Sequence, residues 1–307
     1  MPGALRAQLG HLATEQVGDD RLQLDLMSVA DLVDAMNRVN ASVPSVVATA
    51  APAITRAIHG IVERMRGGGR LIYVGAGTAG RIGVLDASEI PPTFGTDPSR
   101  VVGVIAGGPD AVGRAIENAE DDMAAAVDDL TALRLTSGDA LVGISASGRT
   151  PYVLGALGYA RRLGVFTVGL ACNAGSEIGH AADVAIETVV GPEIVTGSTR
   201  LKAGTAQKLV VNMISTITMV RLGKVYGSLM VDLKATNEKL RARSERTVML
   251  AAGVDAATAA QALAEVGGWV KAAIVVAVTG LSGADAIGLL AQHGGMLRAT
   301  LAAPVVE

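Results

Sequence analysis

LIYVGAGTAGRIGVLDASE, residues 71–89, opens on a short apolar run and then turns through Gly75, Gly77 and Gly80. The run reads as a buried strand, the residues after the turn read as a helix, and the glycines fit G-x-G-x-x-G. In such a turn the backbone can approach a phosphate, with the helix N-terminus facing it. Three readings compete here: a dinucleotide, some other phosphate, and a tight strand-to-helix turn with no ligand. A dinucleotide site needs an acid at the end of the second strand to bind the ribose hydroxyls. That strand ends in VIAGG, 104–108, with glycines where the acid should stand, and Asp110 comes after them in a loop or helix start. The dinucleotide reading lacks its partner.

A second turn favours a different phosphate. GISASGRTPYV, 143–153, follows a strand-like run and precedes a helix with Pro151 at an early position. Ser145, Ser147 and Thr150 offer three hydroxyls, with glycine and backbone N–H groups between them. Donors, a favourable dipole and little bulk are what a helix N-terminus needs to hold a phosphate. An ordinary serine-rich N-cap would look similar. A nucleophile elbow would not, because G-x-S-x-G requires glycine where Ser147 stands. Two such turns in one parallel sheet form a crevice at the carboxyl ends of the strands.

The surrounding chain supplies that sheet. Apolar runs LIYVG, VVGVIAG, ALVGIS, FTVGLAC and VAIETVV alternate with helical stretches such as Ala111–Val127 and Pro151–Leu163. Alternation of this kind predicts an α/β domain, a parallel sheet with helices on both faces. Residues 24–40 and 43–65 show helical spacing, and Gly67, Gly68 and Gly69 stop the second helix. A long helix is expected from about Lys202 to Leu222. Beyond Arg241 the chain reads as a small helical bundle, although AAIVVAV, 272–278, fits a strand or a buried helix equally. The expected division is an N-terminal helical segment, 1–59, a phosphate-binding domain, 60–224, and a C-terminal helical region, 225–307.

Composition narrows the function. Of 307 residues 50% are hydrophobic, enough for a large core, and the formal net charge of -3 without a basic run argues against nucleic acid. The apolar runs are too short to cross a bilayer, and MPGALRAQLGHLATEQ has no apolar core of a signal peptide. The single cysteine, Cys172, forms no internal disulfide and reads as buried packing, which suits a reducing cytoplasm. His11, His59, His180 and His293 are scattered without metal-ligand spacing.

These motifs carry a family resemblance. GISASGRT resembles the phosphate loop of the sugar isomerase (SIS) fold, a flavodoxin-like domain. GGGRLIYVGAGTAGRIGVLDASEIPPTFG, the IAGG and ENAEDD segments, GPEIVTGSTRLKAGTAQKLVVNMIST, GKVYGSLMVDLKATNEKLRAR and the closing AQHGG are similar to the N-acetylmuramic acid 6-phosphate etherase family. The resemblance runs nearly unbroken from about Gly67 to Arg243. It implies cleavage of a lactyl ether by elimination and hydration, with no metal and no redox cofactor, in a homodimer whose site a neighbouring subunit completes. It also implies phosphate contacts from Gly75, Gly77 and Thr78, and from Ser145, Ser147, Arg149 and Thr150.

The family's two catalytic carboxyls fall on Glu89, in DASEIPP, and Glu120, in ENAEDD. Glu89 stands nine residues after the first turn and precedes Pro91 and Pro92, which are expected to end any helix there. Beside Ile90 and two prolines its carboxyl can be desolvated, which suits an acid. Glu120 stands among Glu117, Asp121 and Asp122 and would otherwise read as part of a solvated helix face. The resemblance gives the pair and leaves their roles open; we take Glu89 as the acid for the leaving group and Glu120 as the base. In VTGSTRLKAGTAQK, 195–208, Ser198, Arg200 and Lys202 crowd a helix start against the dipole preference, which suggests a nearby anion.

Two departures from the family pattern stand out. Ala79 replaces a serine of the first turn, and Thr14-Glu15 are succeeded by Gln16-Val17-Gly18-Asp19 where an Arg-Asn pair is expected. A sensor that binds a phosphosugar without converting it, and an aldose–ketose isomerase, are the competing functions.

Overall fold

The computed structural model describes residues 12–18, 23–233 and 238–303. His11, Asp19 and the KATN part of one family motif lie outside the described residues, as does most of the stretch read for a signal peptide. The chain divides into two compact units, Met1–Ser88 with Ser99–Ser215 and Glu89–Pro98 with Thr216–Glu307.

In the first unit α1 (Val29–Asn40), α2 (Val43–Thr49) and α3 (Ala51–Arg66) precede the sheet. The single helix expected over 43–65 is two, because Pro44 and Pro52 each open a helix and Ala50 breaks the ladder at ψ 0. Gly67 caps α3, and Gly68, at φ +93, turns the chain into the sheet. Next along the chain are β1 (Leu71–Gly75), α4 (Gly77–Phe94), β2 (Val101–Ile105), α5 (Asp110–Gly113), α6 (Met123–Ala132) and β3 (Ala140–Ser145). Then come α7 (Pro151–Arg162), β4 (Phe166–Ala171), α8 (Glu177–His180), β5 (Val184–Glu187) and α9 (Lys202–Arg221).

All five strands are parallel, in the order β2-β1-β3-β4-β5. Leu71 pairs with Val101 on one side and with Ala140 on the other. The chain therefore leaves β1 outward to β2 and returns past it to β3. The loops after β1 and β3 diverge at that reversal and open a crevice at their carboxyl ends. The core explains the unbroken apolar runs: Leu71, Ile72, Tyr73 and Val74 are buried on both faces, as are Leu141, Val142 and Ile144.

Two further helical expectations fail. The stretch 111–127 is not one helix, since Asn118 takes the left-handed region at φ +60 and Asp122 starts α6 by accepting the N–H groups of Ala124 and Ala125. Glu120 therefore sits on a one-turn 3₁₀ segment, Ala119–Asp121, rather than on a helix face. Conversely, Pro91 and Pro92 do not stop α4, which continues to Phe94. They occupy its last turn, where Thr93 Oγ1 donates to the Glu89 carbonyl at 2.7 Å and Gly95 N donates to Pro91.

The second unit holds a hairpin, β6 (Val225–Tyr226) with β7 (Leu229–Met230), which the apolar pattern does not announce. It also holds α10 (Glu238–Ala252), α11 (Ala256–Glu265), α12 (Val270–Thr279), α13 (Gly283–Gln292) and α14 (Leu297–Ala302). AAIVVAV is the buried helix α12, whose Ala272, Ala273, Ile274 and Val275 are fully enclosed. Asp232 is buried there between Lys224 at 2.9 Å and Lys271 at 2.7 Å. Among the described residues no single helix is long and apolar enough to cross a membrane.

Candidate functional site

The turn after β1 is built by close approach. A Cβ on Gly75 would lie 2.7 Å from Gly80 N, and one on Gly80 would lie 2.7 Å from Gly75 O and 2.6 Å from an Ile105 side-chain carbon. These two glycines let α4 press against the sheet. Gly77 differs: it holds φ +52 and faces open space, leaving the start of α4 uncovered.

The turn after β3 is stiffened by its own hydroxyls. Ser145 Oγ lies 2.8 Å from Thr150 Oγ1 and 3.2 Å from Ser147 Oγ, and it accepts Gly148 N at 3.0 Å. Asn173 Nδ2 donates to the Ala146 carbonyl and to Thr14 Oγ1, tying the loop to the N-terminal segment. Gly148 stands at φ +74, where an added Cβ would meet the Ser176 Cβ at 2.5 Å.

Between these turns lies a cavity of about 320 Å³. Gly77 and Thr78 line it from the first turn, and Ser145, Ser147 and Thr150 from the second. Glu120 lines it too, and also a neighbouring hollow of about 220 Å³ beside Arg81 and Ile116. Arg81 sets that wall: Nε donates to the Val112 carbonyl and Nη2 to that of Arg114, each at 3.0 Å. The cavity thus pairs neutral hydroxyls and the N-terminal ends of α4 and α7 with a carboxylate, as an anionic substrate that loses a proton would require.

Other expected residues stand elsewhere. Gly75 is buried at the end of β1, and Arg149 is ion-paired with Glu177 at 2.9 Å. Ser198 and Arg200 are not among the lining residues, although Thr199 is. Lys202 is buried, with Nζ donating to the Val190 carbonyl at 2.8 Å, so its ammonium serves the interior. Burial lowers its pKa and the charge of Glu193 opposes that. The anion implied at this helix start is present in the protein: Glu193 accepts Lys202 N at 3.0 Å and Ala203 N at 2.9 Å. Glu89 is exposed on α4 and absent from the cavity wall. The helix between Gly77 and Glu89 is about 18 Å long at the usual rise per residue.

Glu15 and Gln207 line the cavity without having been foreseen from the motifs. Glu15 comes from the altered N-terminal motif, and Gln207 from the second turn of α9. Ala79, the residue that replaces the usual serine, is also on the wall. Cys172 is buried, and burial foremost pushes its thiol up to about 12, which leaves it inert.

Comparison with known proteins gives the chain its relatives. Residues 53–161 match the glucokinase regulatory protein N-terminal SIS domain, and residues 119–217 match the SIS domain. An N-acetylmuramic acid 6-phosphate etherase of Streptomyces avermitilis is 56% identical over 91% of this chain and 89% of its own. One from Rubrobacter xylanophilus is 57% identical over 89% of this chain and 91% of its own. In a solved structure, a phosphoheptose isomerase from Francisella tularensis matches with a TM-score of 0.47 and 18% identity, covering 63% of this chain and 100% of that one.

Proposed function

Because the chain belongs to the N-acetylmuramic acid 6-phosphate etherase family, we propose that it cleaves the lactyl ether of N-acetylmuramate 6-phosphate with water. The products are N-acetylglucosamine 6-phosphate and D-lactate, a step in the recycling of cell-wall amino sugars. One observation carries the reading to this chain's own residues: Glu120 lines the same cavity as the Ser145, Ser147 and Thr150 hydroxyls. In this proposal the hydroxyls and the N-terminal end of α7 hold the phosphoryl group, which fixes the sugar carbons against the carboxylate.

The chemistry starts from the open-chain sugar. Its C3 ether oxygen lies β to the C1 aldehyde, so the C2 proton is acidic. Glu120 takes that proton, the C2–H electrons form a C2=C3 double bond, and the C3–O bond breaks. An acid protonates the departing lactate oxygen. Water then adds, its oxygen to C3 and a proton to C2, which restores the saturated sugar. Glu89 is the proposed acid.

Glu89 shapes the assembly. With about 18 Å of α4 between it and the first turn, it is assigned to the cradle of a neighbouring copy. We therefore propose a homodimer. The exposed apolar residues Val29, Val33 and Met36 along α1 support it, since a lone subunit would leave that stripe in water. The buried single thiol suits the proposed cytoplasmic setting.

Incubation with N-acetylmuramate 6-phosphate and an enzymatic assay of D-lactate tests the function. Release of D-lactate with formation of N-acetylglucosamine 6-phosphate is expected. An isomerised sugar phosphate without lactate would point to an aldose–ketose isomerase, and tight binding without turnover to a sensor.

A further inference from the structure

The cavity wall has a gap in its hydrogen bonding. Gln207 is 1% exposed, and its Nε2 has no hydrogen-bond partner. Buried amide groups are ordinarily satisfied, and one left bare is costly to the fold. The helix start does not need it, because Glu193 already accepts Lys202 N and Ala203 N there. Gln207 is five residues further along α9, where the helix satisfies its own backbone. Gln207 is one of the residues that line the cavity, with Thr78, Ser145, Ser147 and Thr150.

The charge on that wall says what would satisfy it. Among the described residues lining the cavity there is no Lys or Arg, while Glu15 and Glu120 are both acidic. A phosphoryl dianion seated here must be held by neutral donors: hydroxyls, backbone N–H groups and helix ends. A primary amide brings N–H donors, which suit an oxygen that can only accept. We infer that Gln207 is a substrate-binding residue, its amide nitrogen donating to a phosphoryl oxygen of the bound phosphosugar. The inference rests on the phosphosugar reading above and adds to it a donor outside both glycine- and serine-rich turns.

Gln207→Leu keeps the side chain's bulk and removes the donor. Calorimetric titration with N-acetylglucosamine 6-phosphate is expected to give a Kd raised at least tenfold over the parent protein. With inorganic phosphate as the second probe, binding should weaken by a similar factor. The melting temperature of the empty variant should be unchanged or higher, since a bare polar group leaves the interior. A lower melting temperature with both dissociation constants unchanged would make Gln207 a packing residue and overturn the inference. Weaker binding of the sugar phosphate but unaltered binding of inorganic phosphate would overturn the phosphoryl assignment. A parent protein that binds neither probe would instead remove the phosphosugar reading itself.

Discussion

The hydrogen bond that joins Glu193 to Lys202 uses the lysine's backbone N–H and not its ammonium. The buried carboxylate accepts the Lys202 N–H at 3.0 Å, and the Lys202 ammonium turns to the Val190 carbonyl at 2.8 Å. Glu193 accepts Ala203 N as well. It therefore caps α9 from outside the helix and fixes the start of the element that carries Gln207.

Glu193→Ala should destabilise the protein by roughly 2–3 kcal/mol, the scale of hydrogen bonds to a charged group. Urea unfolding of the variant against the parent measures it. A loss within a few tenths of a kcal/mol would mean that water replaces the cap.

Removing either proposed catalytic carboxyl should leave the fold standing and slow turnover severely. Glu120→Gln and Glu89→Gln are each expected to lower kcat for D-lactate release by about 10²–10⁴-fold, as for loss of an acid or base. Both side chains are exposed in the single subunit, so circular dichroism and melting should hardly change.

Mixing the two inactive variants tests whether a site draws on two copies. If Glu120 comes from one chain and Glu89 from the other, a mixed dimer regains one intact site. Equal amounts, unfolded and refolded together, should then recover about a quarter of parental activity, since about half the dimers are mixed and each has one of two sites. No recovery at all would show that each chain supplies both groups to its own cradle.

Gly148→Ala should cost more than Gly77→Ala. Both glycines have positive φ, but only at Gly148 would the new Cβ run into a side chain, that of Ser176 at 2.5 Å. Backbone strain of this kind is worth about 1–3 kcal/mol, and the clash adds to it. Thermal melting of both variants, with Gly148→Ala the lower, is the expected result.

Acid should weaken the first unit through Asp139. Burial pushes this carboxyl up, but hydrogen bonds from Arg70 and Thr136, with the Arg70 charge, outweigh it and hold the carboxyl below the usual range. A carboxyl depressed in the folded state lends stability above its unfolded pKa of about 3.9, and that stability is lost as pH falls through the lower, folded value. Asp139→Asn should lose roughly 1.5–3 kcal/mol at pH 7, the scale of hydrogen bonds to a charged group. The gap between variant and parent should shrink as pH falls below about 4. Urea titrations across that range would show a constant gap if the pair were not responsible.

Much of this protein is legible in its residues because apolar period and glycine placement act locally. The strands around Tyr73 and Val142 are continuous apolar runs, and Ser145, Ser147 and Thr150 declare a polar turn before Pro151 opens a helix. The features that escape depend on contacts distant in sequence or on local competition. The helical spacing of 111–127 gives no warning that Asn118 turns left-handed, because Asp122 competes as a cap for the next helix. Pro91 and Pro92 look like a stop, since their missing N–H groups leave the Ala87 and Ser88 carbonyls without i+4 donors, yet the helix runs on to Phe94. Lys202 looks like an anion ligand because nothing in the spacing marks Glu193, nine residues earlier, as the anion. Gln207 carries no signal of its own; its meaning comes from sharing a wall with Ser145, more than sixty residues away in sequence.

Among the described residues that line the cradle there is no Lys or Arg, which has a consequence for how a substrate arrives and departs. Surface cations draw phosphates in from a distance, and that pull fades as counterions shield it. Hydroxyls and amides act only at contact. Capture here should therefore depend weakly on ionic strength, and the product's phosphoryl end should be surrendered quickly once the sugar no longer fits.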